Sequence, residues 1–127
     1  MALSPGMTGE ATVVVTRENT AAAVGSGGVD VFATPMMVAL MEMAALRLVQ
    51  PHLAEGETTV GTIVNVKHTA ATPLGMSVRA VARLDAVDGR RLVFTVEAYD
   101  DREKIGEGTH ERFVVQLQKF LDRVNKK

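Results

Sequence analysis

Thr34-Pro35-Met36-Met37-Val38-Ala39-Leu40-Met41-Glu42-Met43-Ala44-Ala45-Leu46 is the most apolar stretch of this 127-residue chain, and its reading decides the fold. Thr34 suits an N-cap and Pro35 the first helical position. Pro51 cannot continue a helix, so the element should end near Gln50. Apolar residues fall on nearly every side of it, which predicts a helix buried against a sheet rather than laid on a surface. One carboxylate, Glu42, interrupts the run. A charge there is costly to desolvate without a partner, so it is kept either for structure or for chemistry.

The segments around this helix read mostly as strands. Ala11 to Thr16 is short and β-branched, a first strand. Arg17 to Asp30 turns small and Gly-rich, with Gly25, Gly27 and Gly28, and reads as a loop. It lacks the Lys-Ser/Thr ending of a phosphate-binding loop and does not directly follow a strand. After the helix, Gly61 to Ala71 is a candidate strand closed by Thr72-Pro73-Leu74-Gly75. Met76 to Ala86 and Arg90 to Asp100 alternate with period two about the hairpin signal Asp88-Gly89. Ile105 to Leu117 is the last strand, and Leu117, Phe120, Leu121 and Val124 recur at helical spacing behind it. One α+β domain spanning residues 1–127 is expected, with a single antiparallel sheet packed on one long helix. Such a sheet has edges to protect, and pairing two copies would protect them.

Composition excludes several function classes. Formal net charge is −1, which argues against a nucleic-acid binder with a broad basic face. The absence of cysteine excludes disulfides and thiolate chemistry, and is compatible with a cytoplasmic home. Residues 1–10 lack the pattern of a secretory signal, and the apolar helix is too short to span a bilayer. Three dispersed histidines give no metal motif, so no metal or other cofactor is expected. The seven methionines read as core filling.

Alternation in the Gly61–Ala71 strand puts His68 on the face of Val64 and Val66, the expected core side. His68 is thus a candidate partner for Glu42. The pair could be an acid–base couple or could merely satisfy buried polarity. Thr34 lies two turns before Glu42, about 12 Å along the helix axis, so a substrate or third side chain could sit between them. Free N–H groups over Thr34 to Met37 could hold an oxyanion or simply be capped. His110, on the last strand, reads as part of a solvated face. Arg79, Arg83, Glu97 and Glu111 read as cross-strand charge pairs on an outer sheet face. Lys67, Arg90 and Arg91 are basic residues that could meet phosphates but are more simply solvated.

Three segments resemble one known family. Val31-Phe32-Ala33-Thr34-Pro35-Met36-Met37-Val38-Ala39-Leu40-Met41-Glu42 is similar to the central helix of the fluoroacetyl-CoA thioesterase-like group of hotdog-fold proteins. Val66-Lys67-His68-Thr69-Ala70-Ala71-Thr72-Pro73 resembles its histidine-bearing strand, and Gly106-Glu107-Gly108-Thr109-His110-Glu111-Arg112 its last strand. The resemblance spans roughly residues 30–120 and implies a hotdog fold, a homodimer and hydrolysis of a short acyl-CoA thioester. It implies a catalytic set of Thr34, Glu42 and His68. It also implies substrate-binding roles for Gly61, Arg112 and Phe32, with CoA entering only as part of the substrate. The family enzyme carries phenylalanines in the loop before the helix. Here that loop reads Val24-Gly25-Ser26-Gly27-Gly28-Val29, which implies a broader or different acyl preference. A non-catalytic acyl-CoA sensor or carrier on the same scaffold is the alternative, because the fold hosts several functions. A hydratase fits less well, since no Asp and His pair stands near the helix start.

Overall fold

The structure, a computed structural model, describes residues 2–127. The long helix α2 (Thr34–Val49) follows strand β1 (Thr8–Val14) and a short helix α1 (Ala21–Val24). Four strands come next: β2 (Glu57–His68), β3 (Ser77–Asp88), β4 (Arg91–Tyr99) and β5 (Lys104–Gln116). Helix α3 (Leu117–Val124) follows β5. All five strands form one antiparallel sheet in the order β1-β3-β4-β5-β2. This is the expected hotdog arrangement, a sheet curled around one helix. β2 does not pair with its sequence neighbour β3; the chain crosses from one edge of the sheet and returns beside β1.

The core lies between α2 and the concave face of the sheet. Met37, Leu40, Met41, Ala44, Ala45, Leu48 and Val49 face inward from the helix. Val78, Ala80, Ala82 and Leu84 of β3 meet them, with Leu92, Phe94, Val96 and Ala98 of β4 alongside. The period-two reading of β4 therefore holds, and that of β3 holds through Leu84; a bulge between Leu84 and Ala86 then turns Val87, rather than the expected Ala86, to the core. Each large apolar side chain buried here contributes about 1.5–3 kcal/mol. Where β1 passes under α2 the backbones nearly touch. A Cβ added to Gly9 would lie 2.6 Å from the Ala44 carbonyl oxygen and 2.7 Å from Leu48 Cβ.

Several expectations are corrected. α2 is not buried all round: Ala39, Met43 and Arg47 are exposed, and Leu46 is only half-buried, so an apolar face stays open. His110 is not on a solvated face; it is 1% exposed, under the helix. Arg79, Glu97 and Glu111 make cross-strand charge pairs on the outer face as expected, though not with one another, and Arg83 pairs within its own strand. Arg79 meets Glu10, Arg83 meets Asp85, Lys104 meets Glu97 and Arg91 meets Glu111. β2 begins at Glu57, earlier than its apolar run suggests, and a bulge between Gly61 and Ile63 inverts its alternation. Thr59 points inward before the bulge, and Val66 and His68 do so after it.

Gly9→Ala should lower folding stability by about 1–3 kcal/mol, because the helix backbone cannot yield to the added methyl. Gly28→Ala, where a Cβ would meet nothing within 4 Å, should leave stability nearly unchanged. Urea denaturation of both variants checks this pair.

Candidate active site

The start of α2 frees the Thr34 hydroxyl. Thr34 is the first helical residue rather than the N-cap, which is Ala33 in extended conformation. The Ala33 carbonyl accepts from the N–H groups of Met36 and Met37, both at 3.0 Å. Those two donors are therefore spent, which corrects the wider oxyanion set expected for residues 34–37. Pro35 has no N–H, so the Thr34 N–H is what the first turn leaves over. The chain entering the helix is pinned twice: Phe32 N–H donates to Thr72 O and Ala33 N–H to Asn19 O, each at 2.9 Å. The Asn19 side chain in turn accepts from Thr16 N–H at 2.9 Å and donates to Val14 O at 3.0 Å.

Thr34 Oγ1 lies 2.7 Å from His68 Nδ1. His68 closes β2, and just beyond it Thr69 N–H donates to Ile105 O at 2.7 Å. Burial of the imidazole pulls its pKa below the usual 6.5, with the Ala70 backbone opposing, so the ring is neutral at pH 7. Nε2 is buried without a hydrogen-bond partner among the described residues. Thr34 and His68 open onto a cavity of about 250 Å³ that is also lined by Phe32, Ala21, Ser26 and Ala70. Phe32 is buried and forms a fixed wall.

Glu42 belongs to a second cluster. The expected Glu42–His68 contact is absent within the chain. Glu42 Oε2 instead lies 3.7 Å from Arg112 Nη1, and its side chain is 38% exposed. Gly61 sits beneath it, where a Cβ would fall 2.5 Å from that same oxygen. Only glycine leaves the carboxylate its place. Arg112 is buried and donates from Nε to Thr59 Oγ1 at 2.8 Å and from Nη2 to Thr59 O at 3.0 Å. Burial pulls the Arg112 pKa down while Glu42 opposes that shift; the guanidinium stays charged. Ala39, Met43 and Leu46 border this cleft with Glu42 and Arg112.

Of the six residues singled out from sequence, Thr34, His68 and Phe32 thus meet at one cavity and Glu42, Gly61 and Arg112 at another. Thr59 and His110 were missed. Arg112 and His110 share strand parity, a signal the sequence did contain. Thr59 lay outside the strand read from the sequence, which began at Gly61, and the bulge shifts its parity relative to His68. Among the described residues, no group of three His, Asp or Glu side chains could hold a metal ion.

Residues 15–118 match the family model described as fluoroacetyl-CoA-specific thioesterase. A fluoroacetyl-CoA thioesterase of Streptantibioticus cattleyicolor is 50% identical over 98 residues, covering 77% of this chain and 70% of that protein. A solved fluoroacetyl-CoA thioesterase structure superposes with a TM-score of 0.94 at 40% identity, covering 100% of this chain and 98% of the other. A thioesterase superfamily member from Thermus thermophilus gives a TM-score of 0.91 at 34% identity, covering 99% and 94%.

Acid should destabilise the fold through its buried imidazoles. His68 and His110 both have pKa values depressed by burial, so the unfolded chain binds their protons first as pH falls through 6.5. Their contribution is complete above that pH and is lost progressively below it. Tm should hold steady from pH 8 to 7 and decline from about pH 6.5 downward. A Tm that stays flat to pH 5 contradicts this.

Proposed function

The chain belongs to the fluoroacetyl-CoA-specific thioesterase family, and from that premise we propose that it hydrolyses a short-chain acyl-CoA to the free acid and CoA. The observation that carries the reading is the 2.7 Å contact of Thr34 Oγ1 with His68 Nδ1 at the mouth of a cavity. A threonine hydroxyl is a weak nucleophile at neutral pH and needs an adjacent base. A neutral imidazole at hydrogen-bond distance is that base.

In this reading the Thr34 oxygen attacks the thioester carbonyl carbon while its proton passes to His68. The C–S bond then breaks, and His68 returns the proton to the departing CoA thiolate. Water, activated by a carboxylate, next cleaves the acyl–threonine ester and releases the acid. The Thr34 N–H is the backbone donor available for the oxyanion.

Glu42 is the carboxylate, supplied across a homodimer. Within one protomer it lies in the other cluster, two helical turns from Thr34. Three features support pairing of two copies. β2 is a sheet edge of 12 residues with Ile63 and Val64 exposed. The α2 face of Ala39, Met43 and Leu46 beside Glu42 is apolar and open. His68 Nε2 is an orphaned buried atom that needs a partner. A two-fold axis at the β2 edge would serve all three at once.

The loop over the cavity contributes Ser26 and no aromatic side chain, and Gly28 faces open space. Nothing in it grips a fluorinated acyl group, so we read the selectivity as broader than fluoroacetyl. The reaction draws on protein side chains and water and calls for no cofactor beyond the CoA of the substrate. Among the described residues, no helix is long and apolar enough to cross a membrane. A cytoplasmic location, where acyl-CoA is met, completes the reading, with neither nucleic acid nor membrane as a partner.

Glu42→Gln and His68→Ala should each fold as dimers and lose roughly 100-fold or more of thiol release. Refolding the two variants together should restore roughly a quarter of wild-type activity. Half of the resulting dimers then hold one intact composite site of two. Absence of recovery in the mixture rules out the shared site, and full activity of both single variants rules out the catalytic set.

A further inference from the structure

His110 is a buried histidine that the mechanism above does not use. Its Nδ1 lies 2.8 Å from Ile63 O and its Nε2 3.2 Å from Arg112 Nη1. A guanidinium has donors only, so Nε2 must be the acceptor in that contact. The proton therefore sits on Nδ1 and is donated to the Ile63 carbonyl. Both ring nitrogens are satisfied in one state, the neutral Nδ1–H tautomer. Phe94 of β4 stacks on the ring, with centroids 5.8 Å apart, and prevents it from turning away.

The consequence falls on Glu42. Thr59 takes Nε and Nη2 of Arg112, and His110 takes Nη1. The guanidinium is thereby fixed with Nη1 3.7 Å from Glu42 Oε2, near enough for attraction but too far for a hydrogen bond. The carboxylate keeps its charge stabilised and its lone pairs free. Were Arg112 released, it could close on Glu42 as a bidentate pair and occupy both oxygens.

We propose that His110 is a positioning residue, which as a neutral acceptor holds Arg112 at a stand-off from Glu42 and so keeps that carboxylate available for the reaction. A protonated His110 would present an N–H to Arg112 and lose the contact. The charged groups facing it are Arg112 and Glu111 on its own strand and Glu42 from α2; β2 offers the Ile63 carbonyl and β4 the Phe94 ring. Burial and Arg112 both oppose its protonation, which maintains the acceptor state at neutral pH.

Only the kinetic arm of the test rests on the thioesterase reading. In ¹⁵N spectra of the wild-type protein at pH 7, His110 should appear as the Nδ1–H tautomer, and Arg112 should show separate, slowly rotating Nη signals. These Nη signals should coalesce in His110→Ala and persist in His110→Gln, whose carboxamide offers both an acceptor and a donor. An Nε2–H or doubly protonated His110, or unchanged Arg112 signals in His110→Ala, overturns the proposal whatever the activity. In thiol-release kinetics, His110→Ala should lose roughly 10- to 100-fold in kcat with KM nearly unchanged, and His110→Gln should recover most of it. The acid limb of kcat should be steeper by one proton in wild type than in His110→Gln. Equal kcat in wild type and a folded His110→Ala, or equal losses in the two variants, also overturns it. Failure of wild type to release thiol would defeat the thioesterase reading while leaving the spectral arm intact.

Discussion

The close seating of α2 on the sheet sets the position of every group in the site. Gly9 lets β1 pass against the Ala44 backbone, and Ala80, Ala82 and Ala98 keep the strands beneath the helix low. A helix held that near cannot slide or roll without clashing, because protein interiors have little free volume. Its first residue is therefore fixed beside the end of β2, where His68 waits, and its third turn is fixed over β5, where Arg112 lies. The chemistry follows from this packing rather than from any one loop.

Polar groups inside the fold are unusually well accounted for. Arg112, His110 and Thr59 satisfy one another, and Thr72 donates to Asp100 beneath the strap that leads into α2. Among the described residues, one buried side-chain atom stands without a partner, His68 Nε2. A buried unsatisfied polar atom costs about 1–3 kcal/mol, and such exceptions tend to fall at functional sites. Here it lies on the residue that pairs with the Thr34 hydroxyl. The other point left open is the apolar face of Ala39, Met43 and Leu46 beside Glu42. Both are accounted for if two copies share a site.

Much of the fold was legible in the sequence because its signals were strong. Pro35 and Pro51 bracketed α2, and the alternation in β3 and β4 carried through to the core. Thr34 and His68 were found by the same means and meet as candidates should. Glu42 was misjudged in two respects. Its helix looked buried all round because apolar periodicity cannot distinguish a face covered by the rest of the chain from one left open. His68 was its candidate partner because both seemed to face inward, whereas within the chain eight residues of helix keep the two clusters apart. His110 was missed for a third reason: a histidine flanked by Thr109, Glu111 and Arg112 looks solvated until strand parity is followed. The β2 bulge broke parity only across Gly61 and Ile63: Val66 and His68 face inward as alternation predicts, while Thr59 and Gly61, on the far side of the extra residue, face inward against it.

The central claim is that the Thr34–His68 pair cleaves a thioester. Its most direct measurement is thiol release by the wild-type protein across a panel of acyl-CoAs of increasing chain length, with fluoroacetyl-CoA included. The account predicts turnover of short-chain acyl-CoAs with little preference for the fluorinated member, because no aromatic side chain closes the Gly25–Val29 loop over the cavity. Saturable acyl-CoA binding with no thiol released from any member of the panel would contradict it.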